Sequence, residues 1–387
     1  MKAWFFLVAS AALVLGSQAF PAKSYYVEVP FKSAIEINEF RARGLDMAGV
    51  NFENNSVTLV VSEKDLKNTR DLGVLSFREV GRLDEEYVNP SELETILKDY
   101  EKRFPDLVQL ESIGKSHEGR DIWAVTLTQK DSKPKEPKMT MVVDSMHHAR
   151  EVMTTEVTLD MIDYLTKNYP SDSKVQNWLD KYEIWVVPML NPDGNNKVWT
   201  EDHMWRKNAR GGYGVDINRN YPYAWAKCNG SSGFQFSDTY RGPSGGSEPE
   251  TQALMSLISR VQPKFNLSYH SFSEIVIYPF GCDPETIPQP DAEIYLKTGK
   301  ELASKLTRDS GSGTFKAGTS YELLYNVDGG SIDWIYGKEK VMSFVVEVNA
   351  SSQGFQPDYK KWRDSTVQRQ RAGWMYLLEQ MAAPGIK

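Results

Sequence analysis

The stretch Met139–Asp144 most constrains the fold, because it is nearly all apolar and lacks the alternation of a strand with one face in water. A strand of this kind lies in the middle of a sheet that helices cover on both sides. Helical patterns at 151–167 and 358–381 provide such cover, and further strands are predicted at 121–127 and 341–348. The sequence therefore predicts an α/β domain with a large mixed β-sheet flanked by helices.

Composition supports a sizeable folded core and excludes several classes of protein. Aromatic residues make up 12% of the 387 residues, which is inconsistent with a disordered or collagen-like chain. The formal net charge of -7 argues against nucleic acid as a partner. The only cysteines, Cys228 and Cys282, exclude a disulfide-stapled scaffold and a cysteine-based zinc finger, and the sequence leaves open whether they pair.

Residues 1–19 are predicted to form a secretory signal peptide. Lys2 precedes the apolar run Trp4–Leu15, and Ser17-Gln18-Ala19 has the small-x-small pattern, so we expect cleavage after Ala19. The apolar run is too short to cross a hydrocarbon core of about 30 Å, and no later stretch is long and apolar enough. We therefore expect a soluble protein, secreted or periplasmic, without stable membrane insertion.

Residues 20–84 are predicted to form a separate small unit ahead of a larger domain at 85–387. Strand and helix patterns follow in the ferredoxin-like order β-α-β-β-α-β, at 25–29, 34–43, 47–52, 57–61, 63–72 and 74–80. The polar stretch Gly81–Glu86 is predicted to be an exposed linker, with Arg78 and Arg82 as candidate processing sites. Such a unit can be a binding module, a folding aid or an inhibitory pro-segment, and the residues alone leave these alternatives open.

Two segments with histidines follow predicted strands, where active-site loops are common. His148 and Glu151 are three residues apart, which puts both on one side of a helical turn, and His270 ends another strand. Two His and one carboxylate leave the fourth position of a tetrahedral zinc open to water, as in catalytic sites. His147 also has a suitable spacing from Glu151, so the residues alone do not decide between the two adjacent histidines.

A carboxylate and two guanidinium groups add to this constellation. Glu347 interrupts an apolar strand, which is costly unless the acid is paired or lies in a site. One interpretation is a buried ion pair with Arg206 or Arg219. We favour a general base beside a metal, because burial raises the pKa of a carboxyl group toward the working pH. Arg206 and Arg219 can hold the anionic end of a substrate.

These features together resemble zinc metallocarboxypeptidases of the carboxypeptidase A/B type, and the resemblance spans Tyr87 to Met381. The shared motifs are IGKSHEGR at 113–120, HARE at 148–151, NPDG at 191–194, WRK at 205–207, GVDINRN at 214–220, YHS at 269–271, YPFG at 278–281, GGSIDW at 329–334 and SFVVE at 343–347. Their order and spacing are highly specific.

The resemblance implies one Zn²⁺ per chain, bound by His148 rather than His147, together with Glu151 and His270. It implies that Glu347 is the general base and that Arg206 polarises the scissile carbonyl and holds the developing oxyanion. The substrate-binding residues that it implies are Arg150, Asn218, Arg219, Tyr325 and Ile332, and Asp216 is implied to orient a ligand imidazole.

The resemblance implies a zinc-dependent exopeptidase that releases single residues from the C-termini of peptides or proteins. Ile332 at the pocket floor predicts a preference for large apolar or aromatic terminal residues, and the nearby Asp328 is expected to face solvent. Phe272 replaces a Tyr that is frequent in animal relatives, which removes a hydroxyl from the outer subsites. Residues 20–84 resemble the family's amino-terminal segments in position and element order, so we favour an inhibitory pro-segment over a stable accessory domain. We expect a monomer that an activating protease processes. The alternatives are a peptidoglycan stem-peptide carboxypeptidase and an inactive homologue that binds peptides.

Overall fold

The computed structural model describes most of the chain as two units, a small N-terminal sheet and a large sheet covered by helices. The described residues are 23–33, 36–37, 39–40, 45–51, 54–282 and 285–383. The predicted signal peptide and most of the helix predicted at 34–43 lie outside them.

The N-terminal unit is a four-stranded antiparallel sheet in the order β2-β3-β1-β4. Its strands are β1 Ser24–Pro30, β2 Asp46–Asn51, β3 Ser56–Ser62 and β4 Ser76–Glu79. The helix predicted at 63–72 is a 3₁₀ helix, Glu63–Leu72, and ends at Gly73 in the left-handed region with φ 69°. The order of the described elements agrees with the predicted arrangement, although β4 is shorter than expected.

The large sheet has eight strands in the order β11-β10-β12-β9-β7-β8-β6-β5. The strands are β5 Val108–Lys115, β6 Asp121–Leu127, β7 Met139–Ser145, β8 Tyr182–Val187, β9 Phe265–Ser271, β10 Ile275–Ile277, β11 Lys316–Gly318 and β12 Met342–Val348. The four central strands, β12, β9, β7 and β8, are parallel, whereas β6 and β10 pair antiparallel with their inner neighbours. The predicted mixed sheet is confirmed.

Helices cover both faces of this sheet. The α-helices are Pro90–Arg103, Met153–Asn168, Ser173–Lys181, Pro192–Thr200, Pro249–Val261, Asp291–Lys305, Ser320–Leu323, Ser331–Glu339 and Tyr359–Gln380. Met141 and Val143 of β7 pack in one core with Trp374, whereas Val142 between them packs in a second core with Leu254. The central strand is therefore buried on both faces, as its apolar sequence predicts. Within the described part of the chain, no helix has the length and hydropathy needed to cross a bilayer.

The topology brings distant parts of the chain to one edge of the sheet. Because β7, β9 and β12 are parallel, their carboxyl ends share an edge, where active sites of α/β proteins are built. Glu347 of β12 is in register with His270 of β9, and the turn at 146–151 follows β7 directly. Cys228 and Cys282 form a disulfide with a Cα–Cα separation of 5.8 Å, which resolves the pairing that the sequence left open.

Candidate active site

Three buried side chains converge at the carboxyl ends of β7 and β9. Nδ1 of His148 lies 2.7 Å from Oε1 of Glu151 and 3.2 Å from Nδ1 of His270. Nδ1 of His270 lies 3.0 Å from Oε2 of Glu151. Ligands of one tetrahedral zinc are about 3.3 Å apart when the metal–ligand bonds are about 2.0–2.2 Å long. The two imidazoles and the carboxylate therefore fit a single Zn²⁺ in chemistry and in spacing.

His147, the other candidate ligand, points away from this group. Its Nε2 lies 2.9 Å from the Tyr221 hydroxyl, and its Nδ1 lies 3.4 Å from Oδ1 of Asp144. Its ring stacks on that of His270, with the centroids 5.2 Å apart. The geometry therefore favours His148 as the ligand. His147 packs behind the ring of His270.

His148 and Glu151 lie in a turn, which differs from the helical turn predicted for them. The amide of Glu151 donates to the carbonyl oxygen of His148 at 3.2 Å, and the α-helix begins only at Met153. The carbonyl of Glu151 accepts from the amide of Thr154 at 3.1 Å and from its hydroxyl at 2.6 Å. Glu151 therefore lies before the helix, and its side chain is free to turn toward His148.

Asp216 links one imidazole of the trio to a guanidinium group. Its Oδ1 lies 3.3 Å from Nε2 of His148, and its Oδ2 accepts from Nε and Nη2 of Arg206 at 3.1 and 2.8 Å. Burial opposes ionisation of Asp216, but the charges of Arg206 and Arg219 outweigh it and hold the pKa of this carboxyl well below its usual range. Asp216 is thus an ionised anchor that sets the orientation of both His148 and Arg206.

Glu347 lines the same cavity as His148 and Glu151, without a partner of opposite charge among the described residues. No ion pair in the described part of the chain involves Glu347, so the buried ion pair considered from the sequence is not found. Arg206 is held by Asp216, and Arg219 donates to the carbonyl oxygens of Gly230 at 3.0 Å and Asn218 at 2.7 Å. Burial and the negative charge of Glu151 raise the pKa of Glu347 well above its ordinary value.

Four further side chains predicted from the sequence line this cavity. They are Asn218, Arg219, Tyr325 and Ile332. The short 3₁₀ helix Ile217–Arg219 begins at Asp216, whose Oδ1 accepts from the amide of Asn218 at 3.0 Å. The carboxylate that contacts His148 thus also sets the start of the segment that presents Asn218 and Arg219.

Two acids near the pocket floor differ from the prediction. Asp328 is fully buried and does not face solvent, because its Oδ2 accepts from the amides of Cys228 and Gly230, both at 3.0 Å. Asp333, which we did not identify from the sequence, lines the cavity beside Ile332. Its two oxygens lie 3.1 and 2.9 Å from the amide of Gly281, which donates to them, and burial raises its pKa to about 7.

Arg150 meets the N-terminal unit. Its Nη2 donates to Oδ1 of Asp46 at 2.8 Å, and its guanidinium lies 4.1 Å from the ring centroid of Phe355. Ala48, also on β2, lines the cavity together with Phe272. The N-terminal unit therefore covers part of the cavity.

Comparisons with known proteins agree with this geometry. A family model described as zinc carboxypeptidase matches residues 93–369. The zinc carboxypeptidase of Saccharothrix mutabilis subsp. capreolus is 30% identical over 300 residues, which are 73% of this chain and 66% of that protein. Zinc carboxypeptidase A 1 of Anopheles gambiae is 31% identical over 265 residues, 66% of this chain and 58% of that protein. The chain thus spans less than two thirds of the length of these relatives.

Two solved structures share the whole architecture. The carboxypeptidase A from Helicoverpa armigera is 22% identical with a TM-score of 0.78, over 95% of this chain and 99% of that chain. Thrombin activatable fibrinolysis inhibitor is 22% identical with a TM-score of 0.78, over 94% of this chain and 99% of that chain. At 22% identity this similarity concerns the fold alone. The aligned region includes residues of the N-terminal unit.

Proposed function

Because the chain belongs to the zinc carboxypeptidase family, we propose that it is an exopeptidase that releases single C-terminal residues from peptides. The observation that carries the proposal is that His148 and Glu151 line one cavity with Glu347 and Arg206, and that His270 completes a group of metal ligands with the first two. This convergence supports an active enzyme over an inactive homologue that only binds peptides.

The cavity contains groups suited to a terminal carboxylate. Arg219 offers a guanidinium group and Asn218 an amide, and charge-assisted bonds from such donors hold carboxylates firmly. Tyr325 lies beside them and also packs against the core of the N-terminal unit. We assign these three residues to substrate binding, which places the last peptide bond beside the trio.

The chemistry divides between the trio and two neighbours. His148, Glu151 and His270 would hold a zinc ion, which would supply Lewis-acid chemistry and lower the pKa of the attacking water. Glu347 accepts a proton from the attacking water at a carboxylate oxygen and returns it to the leaving amine. Arg206, held in place by Asp216, stabilises the negative charge that develops on the carbonyl oxygen.

We assign the preference for large apolar or aromatic terminal residues to the pocket around Ile332. Ile277 and Val345 pack in one apolar cluster with it. Asp333 is the acid nearest this surface, but both its oxygens already accept from a backbone amide. We therefore expect a cationic terminal side chain to lose more hydration against this apolar surface than contact with Asp333 restores.

We assign residues 20–84 to an inhibitory pro-segment and 85–387 to the catalytic domain. Asp46 holds Arg150, which the family resemblance places on the approach of the substrate, and Ala48 lies in the cavity wall. An activating protease that cuts the linker would release this cover. Residues 1–19 are assigned to a signal peptide, which implies a secreted or periplasmic monomer that acts on peptide or protein C-termini.

Hydrolysis of blocked dipeptides tests the proposal. After cleavage in the linker, the chain should release free Phe from a blocked dipeptide that ends in Phe. A chelator should abolish this release, and added zinc should restore it. The same dipeptide with a C-terminal amide is the matched control, and it should resist cleavage because it lacks the carboxylate. A folded, cleaved and zinc-loaded chain that releases no terminal residue from a panel of such dipeptides would overturn the proposal.

A further inference from the structure

We propose that His117, Glu248 and Glu250 form a second site for a divalent transition-metal ion such as Zn²⁺. The site shares no residue with the trio that the family resemblance assigns to zinc. His117 lies in the tight turn between β5 and β6, and the two glutamates lie at the start of the helix Pro249–Val261. The proposal does not depend on the hydrolytic function.

The three side chains present a suitable set of donor atoms. One ring nitrogen of His117 and one carboxylate oxygen of each glutamate lie within 4.8 Å of one another. Nε2 of His117 is 2.7 Å from Oε2 of Glu248. Both glutamates are fully buried, whereas the His117 side chain is 26% exposed and provides a path from solvent. Imidazole nitrogen and carboxylate oxygen are ordinary zinc ligands.

An oxygen of Glu250 has no partner at this position. Oε2 of Glu250 accepts from Nδ2 of Asn208 at 3.0 Å, but Oε1 is buried and, among the described residues, lacks a hydrogen-bond partner. Asn208 has no further donor for this oxygen, because its Nδ2 also donates to Oε2 of Glu248 at 2.9 Å. Its Oδ1 accepts from the amides of Arg210 and Val215, which fixes the orientation of the side-chain amide. A buried polar atom without a partner needs an explanation, and a bound cation supplies one.

The net charge of the cluster formed by His117, Glu248 and Glu250 is suited to a cation. Arg210 is the one guanidinium that contacts it in the described structure, and its Nη1 lies 3.0 Å from Oε1 of Glu248, the oxygen that does not face His117. Two carboxylates against one guanidinium leave a negative charge. Burial raises the pKa of Glu250 to about 7, and the contact with Glu248 raises that of His117, so protons compensate part of this charge near neutral pH. A metal ion would displace those protons.

Metal stoichiometry tests the second site directly. The full chain is stripped with a chelator and dialysed against buffered micromolar free zinc, and bound zinc is measured by mass spectrometry of the metal. We expect two equivalents for the unaltered chain and one for His117→Ala and for Glu250→Gln. His203→Ala is the matched control and should keep two, because the one hydrogen bond of its imidazole among the described residues is to the carbonyl of Val198.

The outcomes separate this site from the family's own site. Zinc stoichiometry in His117→Ala that equals the stoichiometry of the unaltered chain, whether one equivalent or two, would overturn the proposal. His117 is partly exposed, so its variant should fold even if Glu250→Gln does not, and far-ultraviolet circular dichroism checks this. His270→Ala should keep the second equivalent, which shows that failure of the first site leaves the second one measurable.

Discussion

Arg150 of the large domain and Asp46 of the N-terminal unit form a two-pronged ion pair, with Nη2 donating to Oδ1 at 2.8 Å and Nη1 contacting Oδ2. Arg150 is 1% exposed, so the pair is shielded from water. The carboxylate of Asp46 thus binds the guanidinium of Arg150, which the family resemblance assigns to substrate binding. This pair is the most specific link that we find between the N-terminal unit and the cavity.

Asp46→Ala should raise the activity of the uncleaved chain. Removing one partner of a buried ion pair typically costs about 2–5 kcal/mol, so the open fraction should rise by at least about tenfold. The initial rate on a blocked dipeptide, measured before any proteolysis, gives the result. Glu63→Ala, which removes an exposed acid of the same unit, should leave the rate unchanged. Equal rates for the Asp46 variant and the unaltered chain would show that this pair does not hold the N-terminal unit closed.

Trypsin should cut the linker after Arg82 before it cuts after Arg78. The side chain of Arg82 is 80% exposed, and accessible chain is what proteases cleave first. Arg78 lies in β4, donates to the carbonyl of Ser351 at 3.2 Å and lies 4.1 Å from the ring centroid of Tyr26. Mass spectrometry of a brief digest identifies the first cut, and Arg82→Gln should slow it. A first cut after Arg78 would contradict this ordering.

The sequence predicted those parts of the site that follow from local pattern. Glu347 could be identified because a lone acid in an apolar strand is costly, and His270 because it ends such a strand. The central strand, Met139–Ser145 in the structure, was predicted at 139–144 from its apolar residues. Its burial on both faces follows from the helices that pack on either side.

Contacts between distant parts of the chain were not predictable. Asp328 is buried because the amides of Cys228 and Gly230, about 100 residues earlier, donate to it, and no local pattern reveals such donors. Asp46 and Arg150 are 104 residues apart in the chain. The helix Ser331–Glu339, which carries Ile332 and Asp333, was also missed, because it is short and follows two glycines.

His270→Ala should lower the affinity for zinc, so that hydrolysis requires a much higher concentration of free zinc. The shift should be larger than for a substitution beside the ligands. Changes in groups that merely contact a ligand cost about 10–100-fold in metal affinity, so loss of a ligand itself should exceed that range. The rate of the cleaved chain as a function of buffered free zinc measures the shift. His203→Ala serves as the control and should follow the unaltered curve. Identical zinc dependence for His270→Ala and the unaltered chain would exclude His270 as a ligand.

Glu347→Gln should fold, retain zinc and lose about 10²–10⁴-fold in kcat, because the amide cannot accept the proton of the attacking water. Metal analysis and single-turnover rates on the same preparation separate metal loss from loss of the base. Glu301→Gln, on the exposed side of the helix Asp291–Lys305, is the matched control. Near-normal turnover of zinc-loaded Glu347→Gln would require another base.

The pocket around Ile332 should make the cleaved chain release terminal Phe faster than terminal Arg. Ile332, Ile277 and Val345 present only apolar surface, so an Arg side chain would be desolvated without a partner. One methylene in such a pocket is worth about 1–3 kcal/mol, so Phe, Leu and Tyr should all be accepted.

Ile332→Asp should reverse this preference, because a free carboxylate can then pair with the guanidinium of a terminal Arg, whereas Ile332→Val should retain the preference for Phe. Comparison of kcat/KM for blocked dipeptides ending in Phe and in Arg measures both effects. Faster release of Arg by the unaltered chain would mean that an acid such as Asp333 contacts the guanidinium of the substrate, and the assignment of an apolar pocket would be wrong.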